Sequence, residues 1–278
     1  MASQVSSHST EYALGYTTAE QERLIRQAAL FGPITERFFR EAGIGPGQRV
    51  LDLGSGVGDV AMLVARLVGP AGEVVGIERE ASSIGRAKAR VAAAGLRNVS
   101  FRQTDVNQIL SDESFDAAVG RFILMFLPDP VSVLRSVSRL VRPGGVVGFQ
   151  EPSWIPFLAL GRRLRLWSRV LTAIHETFQR SGVNPEMGLA LYAAFQEVGL
   201  PAPAMHMEIA LGSDANCTQQ PADVLRSVHT LARQNNVSLE EVGDLETLAD
   251  RLHVEVARSN TVVNYIPIVS AWSRKPAD

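Results

Sequence analysis

The ten residues Val50–Asp59, VLDLGSGVGD, set three glycines at alternate positions between two acids. Gly54, Ser55 and Gly56 follow a short apolar strand, where glycine permits a tight turn and a close approach of backbone to ligand. The spacing is G-x-G-x-G with Asp59 in the sixth place. A dinucleotide-binding turn runs G-x-G-x-x-G/A and seats pyrophosphate on a helix N-terminus. Asp59 would repel that phosphate and suits a cationic ligand; it also suits the positive end of a helix dipole. Glu78, with Arg79 beside it, ends a second apolar strand 20 residues after Gly58. A carboxylate there accepts both hydroxyls of an adenosine ribose, in a nicotinamide cofactor as in others. Asp105, in FRQTDV after a third strand, can accept from an adenine amino group with the Val106 N–H beside it, or serve as a turn residue.

A second set of residues falls at the ends of the fourth and fifth apolar segments: Arg121, Phe122, Glu151, Pro152 and Trp154. Glu151 directly follows VVGFQ. Under a helical cover it could take a proton as a general base, or it could pair with one of the many arginines. His175 is the other possible base, its alternative being a structural or exposed helical histidine. His229 has a weaker claim. Trp154, Trp167 and Phe178 can wall an apolar acceptor pocket or simply pack a core. Several signatures are missing. The segment after the fourth strand reads Gly120-Arg121-Phe122-Ile123 and not Asn/Asp-Pro-Pro-Tyr/Phe, so nothing there marks a nucleobase or glutamine amine acceptor. No acidic metal cluster and no Tyr-x-x-x-Lys pair is evident.

The elements that must position these residues alternate. A helix starts near Thr18, with Thr18 and Gln21 as a capping box and Leu24, Ile25, Ala28 and Phe31 as its apolar stripe. Pro33 interrupts it, and a second helix runs from Ile34 to about Ala42. Strands are expected at Val50–Leu53, Val74–Ile77, Val99–Gln103, Phe115–Val119 and Val146–Phe149. Helices come between them at Asp59–Leu67, Ser82–Ala94 and Pro130–Val141. This order implies an α/β parallel sheet with helices on both faces. Beyond Glu151 the rhythm changes. Helical stretches at Phe157–Arg180, Met187–Val198, Pro221–Gln234 and Leu239–Arg258 accompany strands at Met205–Leu211 and Thr261–Ser273. The division that follows is a helical lid at 1–42, a core at 43–156, cap insertions at 157–181 and 218–258, and completion of the core at 182–217 and 259–278.

Bulk properties narrow the class. The chain has 278 residues, 46% of them apolar, and a formal net charge of −2, so it has no global positive field for nucleic acid. Its single cysteine excludes an internal disulfide and a Cys-based zinc site. The polar start MASQVSSHSTEYALGY has no apolar h-region, and no window approaches a membrane span. The expectation is a cytoplasmic monomer or homodimer acting on a small molecule, with no metal, nucleic acid or membrane.

VLDLGSGVGD, VVGIE, TDV, FDAAVGRFILMFLPDP and LVRPGGVVGFQEP, in that order and spacing, resemble class I S-adenosylmethionine (SAM)-dependent methyltransferases. Within them the chain is similar to the small-molecule branch that includes UbiE/COQ5-type enzymes. The resemblance covers about residues 20–151, then 187–211 and 261–273. It implies a Rossmann-like, mostly parallel seven-stranded sheet whose last strand runs antiparallel. SAM, with a sulfonium, an ammonium and no phosphate, would be the cofactor, and S-adenosylhomocysteine (SAH) the product. Gly54, Ser55 and Gly56 would line its methionine part, Glu78 its ribose, Asp105 its adenine, and Arg121 and Phe122 the edge after the fourth strand. N-terminal helices would close over it, with Tyr16 and Gln27 as lid residues and Tyr12 toward the substrate. The implied activity is O-, N- or C-methylation of a small organic acceptor in secondary or quinone-like metabolism. The alternatives are a non-catalytic SAM-binding protein or an NAD(P)-dependent oxidoreductase.

Overall fold

Residue parity along the strands decides which face each side chain covers. In the computed structural model, which describes residues 13–109 and 114–277, five segments form parallel strands: β1 (Arg49–Leu53), β2 (Glu73–Glu78), β3 (Val99–Gln103), β4 (Phe115–Arg121) and β5 (Val141–Pro152). Val50, Val74, Ala117 and Val146 point to one face; their neighbours Leu51, Val75, Ala118 and Val147 point to the other. Both faces are buried, as a parallel sheet requires.

Helices α1 (Thr18–Glu41), α2 (Asp59–Val68), α3 (Ala81–Ala93) and α4 (Pro130–Leu140) accompany these strands. Beyond β5 come α5 (Trp154–Gly161), α6 (Arg165–Arg180) and α7 (Met187–Glu197), then β6 (Ala204–Glu208) and β7 (Leu211–Gly212). The chain ends with α8 (Ala215–Ser227), α9 (His229–Gln234), α10 (Leu248–Arg258), β8 (Val263–Asn264) and β9 (Ile268–Arg274). The seven-stranded sheet has the order β3-β2-β1-β4-β5-β9-β6, with β9 antiparallel to both its neighbours. The order reverses between β1 and β4, and ligands of open α/β sheets bind at that switch, beyond the strands' carboxyl ends. Helices α5, α6, α8 and α10 pack on one another beside that end.

Several elements differ from expectation. Pro33 does not divide α1. It is exposed, as is Ala29, whose carbonyl loses the proline's missing N–H donor, while Phe31, Ile34, Phe38 and Phe39 anchor the opposite face in the core. The cap of α1 is Thr17, which accepts from the Glu20 N–H at 3.2 Å. The first half of α1 buries Glu20, Arg23 and Gln27, and not the apolar stripe of Leu24, Ile25 and Ala28. Phe157–Arg180 is two helices, broken before Arg165. Of Leu239–Arg258 only the part from Leu248 is helical, after a turn in which Gly243 takes φ 73°. Met205–Leu211 divides between β6 and β7. Thr261–Ser273 divides between β8 and β9 at Pro267, which has no N–H for a ladder.

Candidate active site

The turn after β1 needs its glycines for two separate reasons. Gly54, Gly56 and Gly58 all adopt positive φ, at 62°, 51° and 86°. A Cβ on Gly54 would lie 2.7 Å from Ile123 Cδ1, and one on Gly58 3.1 Å from Ala87 Cβ, so these two also answer to packing. A Cβ on Gly56 would meet nothing closer than 4.0 Å, so its backbone faces open space. That space is a cavity of about 590 Å³, within the usual range for small-molecule sites.

Glu78, at the end of β2, turns its carboxylate back on the glycine turn. Oε2 accepts from the Gly56 N–H at 3.0 Å and Oε1 from the Glu80 N–H at 2.8 Å. Arg79 donates from Nε to the Tyr16 hydroxyl at 2.6 Å and lies over its ring, tying the segment before α1 to the end of β2. Burial pushes the Tyr16 hydroxyl pKa up, opposed by Arg79. Asp105 caps a short 3-10 turn, its Oδ1 accepting from Asn107 N at 2.8 Å and Nδ2 at 2.7 Å.

Asp59 is the first residue of α2 and is not an uncompensated acid: Arg90 Nη2 donates to it at 2.6 Å, while Arg90 Nη1 holds the Val57 carbonyl. The turn is therefore less negative than its sequence suggests. Arg121, half-buried at the end of β4, donates from Nη1 to Thr35 Oγ1 at 3.0 Å. That hydroxyl lies 2.7 Å from Gln150 Oε1, and Gln150 Nε2 donates to Ser270 Oγ. The network joins α1, β4, β5 and β9 behind the cavity.

Of the residues expected from sequence, Tyr16, Gln27, Gly54, Ser55, Gly56, Asp59, Glu78, Arg79, Asp105, Val106, Arg121, Phe122, Trp154 and Phe178 line this cavity. Glu151, His175 and Trp167 do not. Tyr12 lies outside the described residues. Glu151 faces inward. Its Oε1 accepts from the Ile123 and Leu124 N–H groups at 3.0 and 2.8 Å, and its Oε2 from Met125 N–H at 3.3 Å. Burial pushes its pKa up to about 8, against those three donors. It holds the loop after β4, in which Phe122 takes φ 54° and meets Phe31 edge-on at 5.5 Å. Both carboxylate oxygens are thus engaged by the loop, away from the cavity lining. His175 packs against Trp154 with ring centroids 5.9 Å apart, and burial lowers its pKa. Trp167 is fully buried among the covering helices, against the Gly161 backbone. Glu20, Arg23, Thr104 and Val224 also line the cavity with no role expected from sequence, as does Leu24, expected only as part of an apolar stripe. The i, i+3, i+7 spacing of Glu20, Arg23 and Gln27 was the available signal.

A family model for a methyltransferase domain matches residues 44–187. The chain belongs to the methyltransferase-domain family. The cofactor of this domain is SAM. The residues present fit it: the Gly56 backbone is open to a ligand, and Glu78 and Asp105 place carboxylates on the lining of the same cavity. The domain is 34% identical over 111 residues to an arsenite methyltransferase of Halobacterium salinarum, over 40% of this chain and 28% of that one. It is 35% identical over 123 residues to the ubiquinone/menaquinone biosynthesis C-methyltransferase UbiE of Cellvibrio japonicus, over 42% and 49%. The chain thus spans less than half the length of these curated relatives. Phosphoethanolamine N-methyltransferase 2 of Haemonchus contortus shares the fold, with a TM-score of 0.55 at 15% identity over 88% of this chain and 52% of that one. Among the described residues no helix is long and apolar enough to cross a membrane, and no group of His, Cys, Asp and Glu is placed to hold a metal ion.

Proposed function

We propose that this methyltransferase domain moves the methyl group of SAM to a small, largely apolar organic acceptor of quinone-like or secondary-metabolite type. The observation that carries the reading is one continuous cavity running from the glycine turn, Glu78 and Asp105 to Phe126, Trp154, Phe157 and Phe178. Cofactor and acceptor would meet across the β1–β4 switch.

When bound, SAM would supply an electrophilic methyl carried on a sulfonium. What the chain's own groups contribute is alignment. Gly54–Gly56 and Ser55 would hold the methionine part, Glu78 the ribose hydroxyls, and Asp105 with the Val106 N–H the adenine. The loop fixed by Glu151 sets Phe122 and Met125 as one wall, and the aromatic groups of α5 and α6 exclude water. Neither Glu151 nor His175 serves as base in this reading. Arsenite is a poor fit as acceptor, because trivalent arsenic is thiophilic. The chain's one cysteine, Cys217, is buried against Tyr265, its pKa raised by burial, and it does not line the cavity.

Calorimetric titration tests the cofactor: SAM and SAH should bind, and NAD should not. NAD binding without SAM binding overturns the reading. Methyl-labelled SAM, incubated with a panel of phenols, naphthohydroquinones and amines, should place label in an organic extract. Persistent absence of transfer with SAM bound would favour a non-catalytic SAM-binding role.

A further inference from the structure

The wall of the cavity contributed by α1 carries a buried charged pair that the cofactor reading does not use. Glu20 and Arg23 are 2% and 3% exposed, and both line the cavity. They meet through two hydrogen bonds, Arg23 Nε to Glu20 Oε2 at 2.7 Å and Nη2 to Oε1 at 2.6 Å. Arg23 Nη1 also donates to Gln27 Oε1. From the covering helix α8, the Ser227 hydroxyl donates to Glu20 Oε2 at 2.9 Å. The pair therefore sits where the lid helix meets the cap, one turn from Leu24, whose Cδ1 approaches the glycine turn at Gly56. Such a pair is a weak source of stability, because apolar side chains of similar volume usually serve as well as a buried ion pair, or better.

We propose that Glu20, held by Arg23, is the specificity-determining group for the acceptor, and that it selects one hydroxyl on an otherwise apolar, ring-sized molecule. This rests on the methyl-transfer reading above. Two features define the ligand. Glu20 and Arg23 carry opposite charges that offset each other, so the pair by itself exerts no net pull on a charged acceptor. An ionised carboxylate offers about four acceptor sites, and Arg23 and Ser227 occupy three of them. One O–H or N–H donor can be added without breaking the pair. The neighbouring wall, including Leu14, Val224 and Ile266, is apolar and accepts the rest of the molecule. The acceptor class is a phenol, naphthol or hydroquinone rather than a carboxylic acid, a phosphate ester or a quaternary amine.

The test uses the full chain saturated with SAH and two shape-matched probes, 2-naphthol and 2-methylnaphthalene. Binding is read by quenching of tryptophan fluorescence, since Trp154 lines the cavity. The wild-type chain should prefer 2-naphthol by at least ~10-fold, the low end for a hydrogen bond to a charged group. The double variant E20L/R23M, which replaces the pair with apolar groups, should lose that preference to within ~2-fold and keep SAH affinity within ~3-fold. If it does not fold, Glu20→Gln, which keeps the shape, should reduce the preference ~3-fold or more. Equal binding of the two probes by wild type, binding of neither, or a preference surviving in the variants overturns the proposal. So does a loss of SAH affinity of ~10-fold or more in a folded variant, because it would assign the pair to the cofactor. Failure of the wild-type chain to bind SAH would instead overturn the methyl-transfer reading itself.

Discussion

At the scale of single residues, Gly56 separates backbone strain from ligand approach better than its neighbours do. Its φ of 51° penalises any side chain, yet a Cβ would touch nothing nearer than 4.0 Å. Gly56→Ala should therefore cost only about 1 kcal/mol of stability. SAH affinity should fall much further, by about 10-fold or more, because the new methyl projects into the space the cofactor needs. Thermal melting and calorimetry on the same preparation check both halves; unchanged SAH affinity would remove Gly56 from the cofactor contact. The glycine turn was legible from sequence because glycines at alternate positions after an apolar strand suit little besides a tight turn open to a ligand. Glu151 was not legible as it stands. A carboxylate following an apolar strand reads as a base, whereas here its oxygens are enclosed by the N–H groups of Ile123, Leu124 and Met125. Nothing in the residue types tells an inward carboxylate from an outward one. Asp59 opens α2, as the helical pattern from that residue predicts, but its partner Arg90 lies 31 residues away and carries no local signal.

At the scale of elements, the sheet could be read and its cover could not, for a physical reason. Strand parity and glycine turns impose short, strict patterns on β1–β5. Helices α5, α6, α8 and α10 are amphipathic against one another, so periodicity gives their existence but not their ends, which are set by tertiary partners. Glu255 of α10, for example, caps α6 by accepting from the Leu166 and Trp167 N–H groups at 2.8 and 2.9 Å. In α1 a proline signal misled for the opposite reason. The cost of Pro33 is confined to a solvent-facing carbonyl, and the buried aromatic face outweighs it. Pro33→Ala restores one N–H donor and loses some rigidity in the unfolded chain. The expected net gain is about 1 kcal/mol, or about 2–4 °C in Tm for a chain of this size. A lower Tm would mean that proline stiffens α1 where it crosses from cavity to core.

At the scale of the whole molecule, the sheet and the helices packed over it bury ionisable groups around the switch point, and this sets how stability follows pH. Burial pushes Asp52, on β1, up to about 8, opposed by the Arg121 charge and the Ala61 N–H. Glu151 is pushed to about 8 as well. An acid whose folded pKa exceeds its unfolded value keeps its proton in the native state after the unfolded chain has released it. Its contribution is complete below the unfolded pKa, near 4, and is lost as pH rises through the folded pKa. Asp116 works the other way. Burial raises it, but the Arg49 N–H and Arg142 together hold it below the usual carboxylate range, so its contribution disappears only in acid. Stability should therefore peak on the acid side of neutrality and fall between about pH 5 and pH 8.5. Glu151→Gln has no proton to release and should flatten part of that fall, by about 5 kcal/mol at most. Its amide carbonyl can still accept from Ile123 and Leu124, while its NH₂ group opposes the Met125 N–H, so the variant should start less stable at pH 5 and lose less on the way to pH 8.5. Urea unfolding of both chains at several pH values measures the two slopes. Equal slopes would mean that the three loop N–H groups keep Glu151 ionised in the folded protein, leaving Asp52 alone to carry the decline.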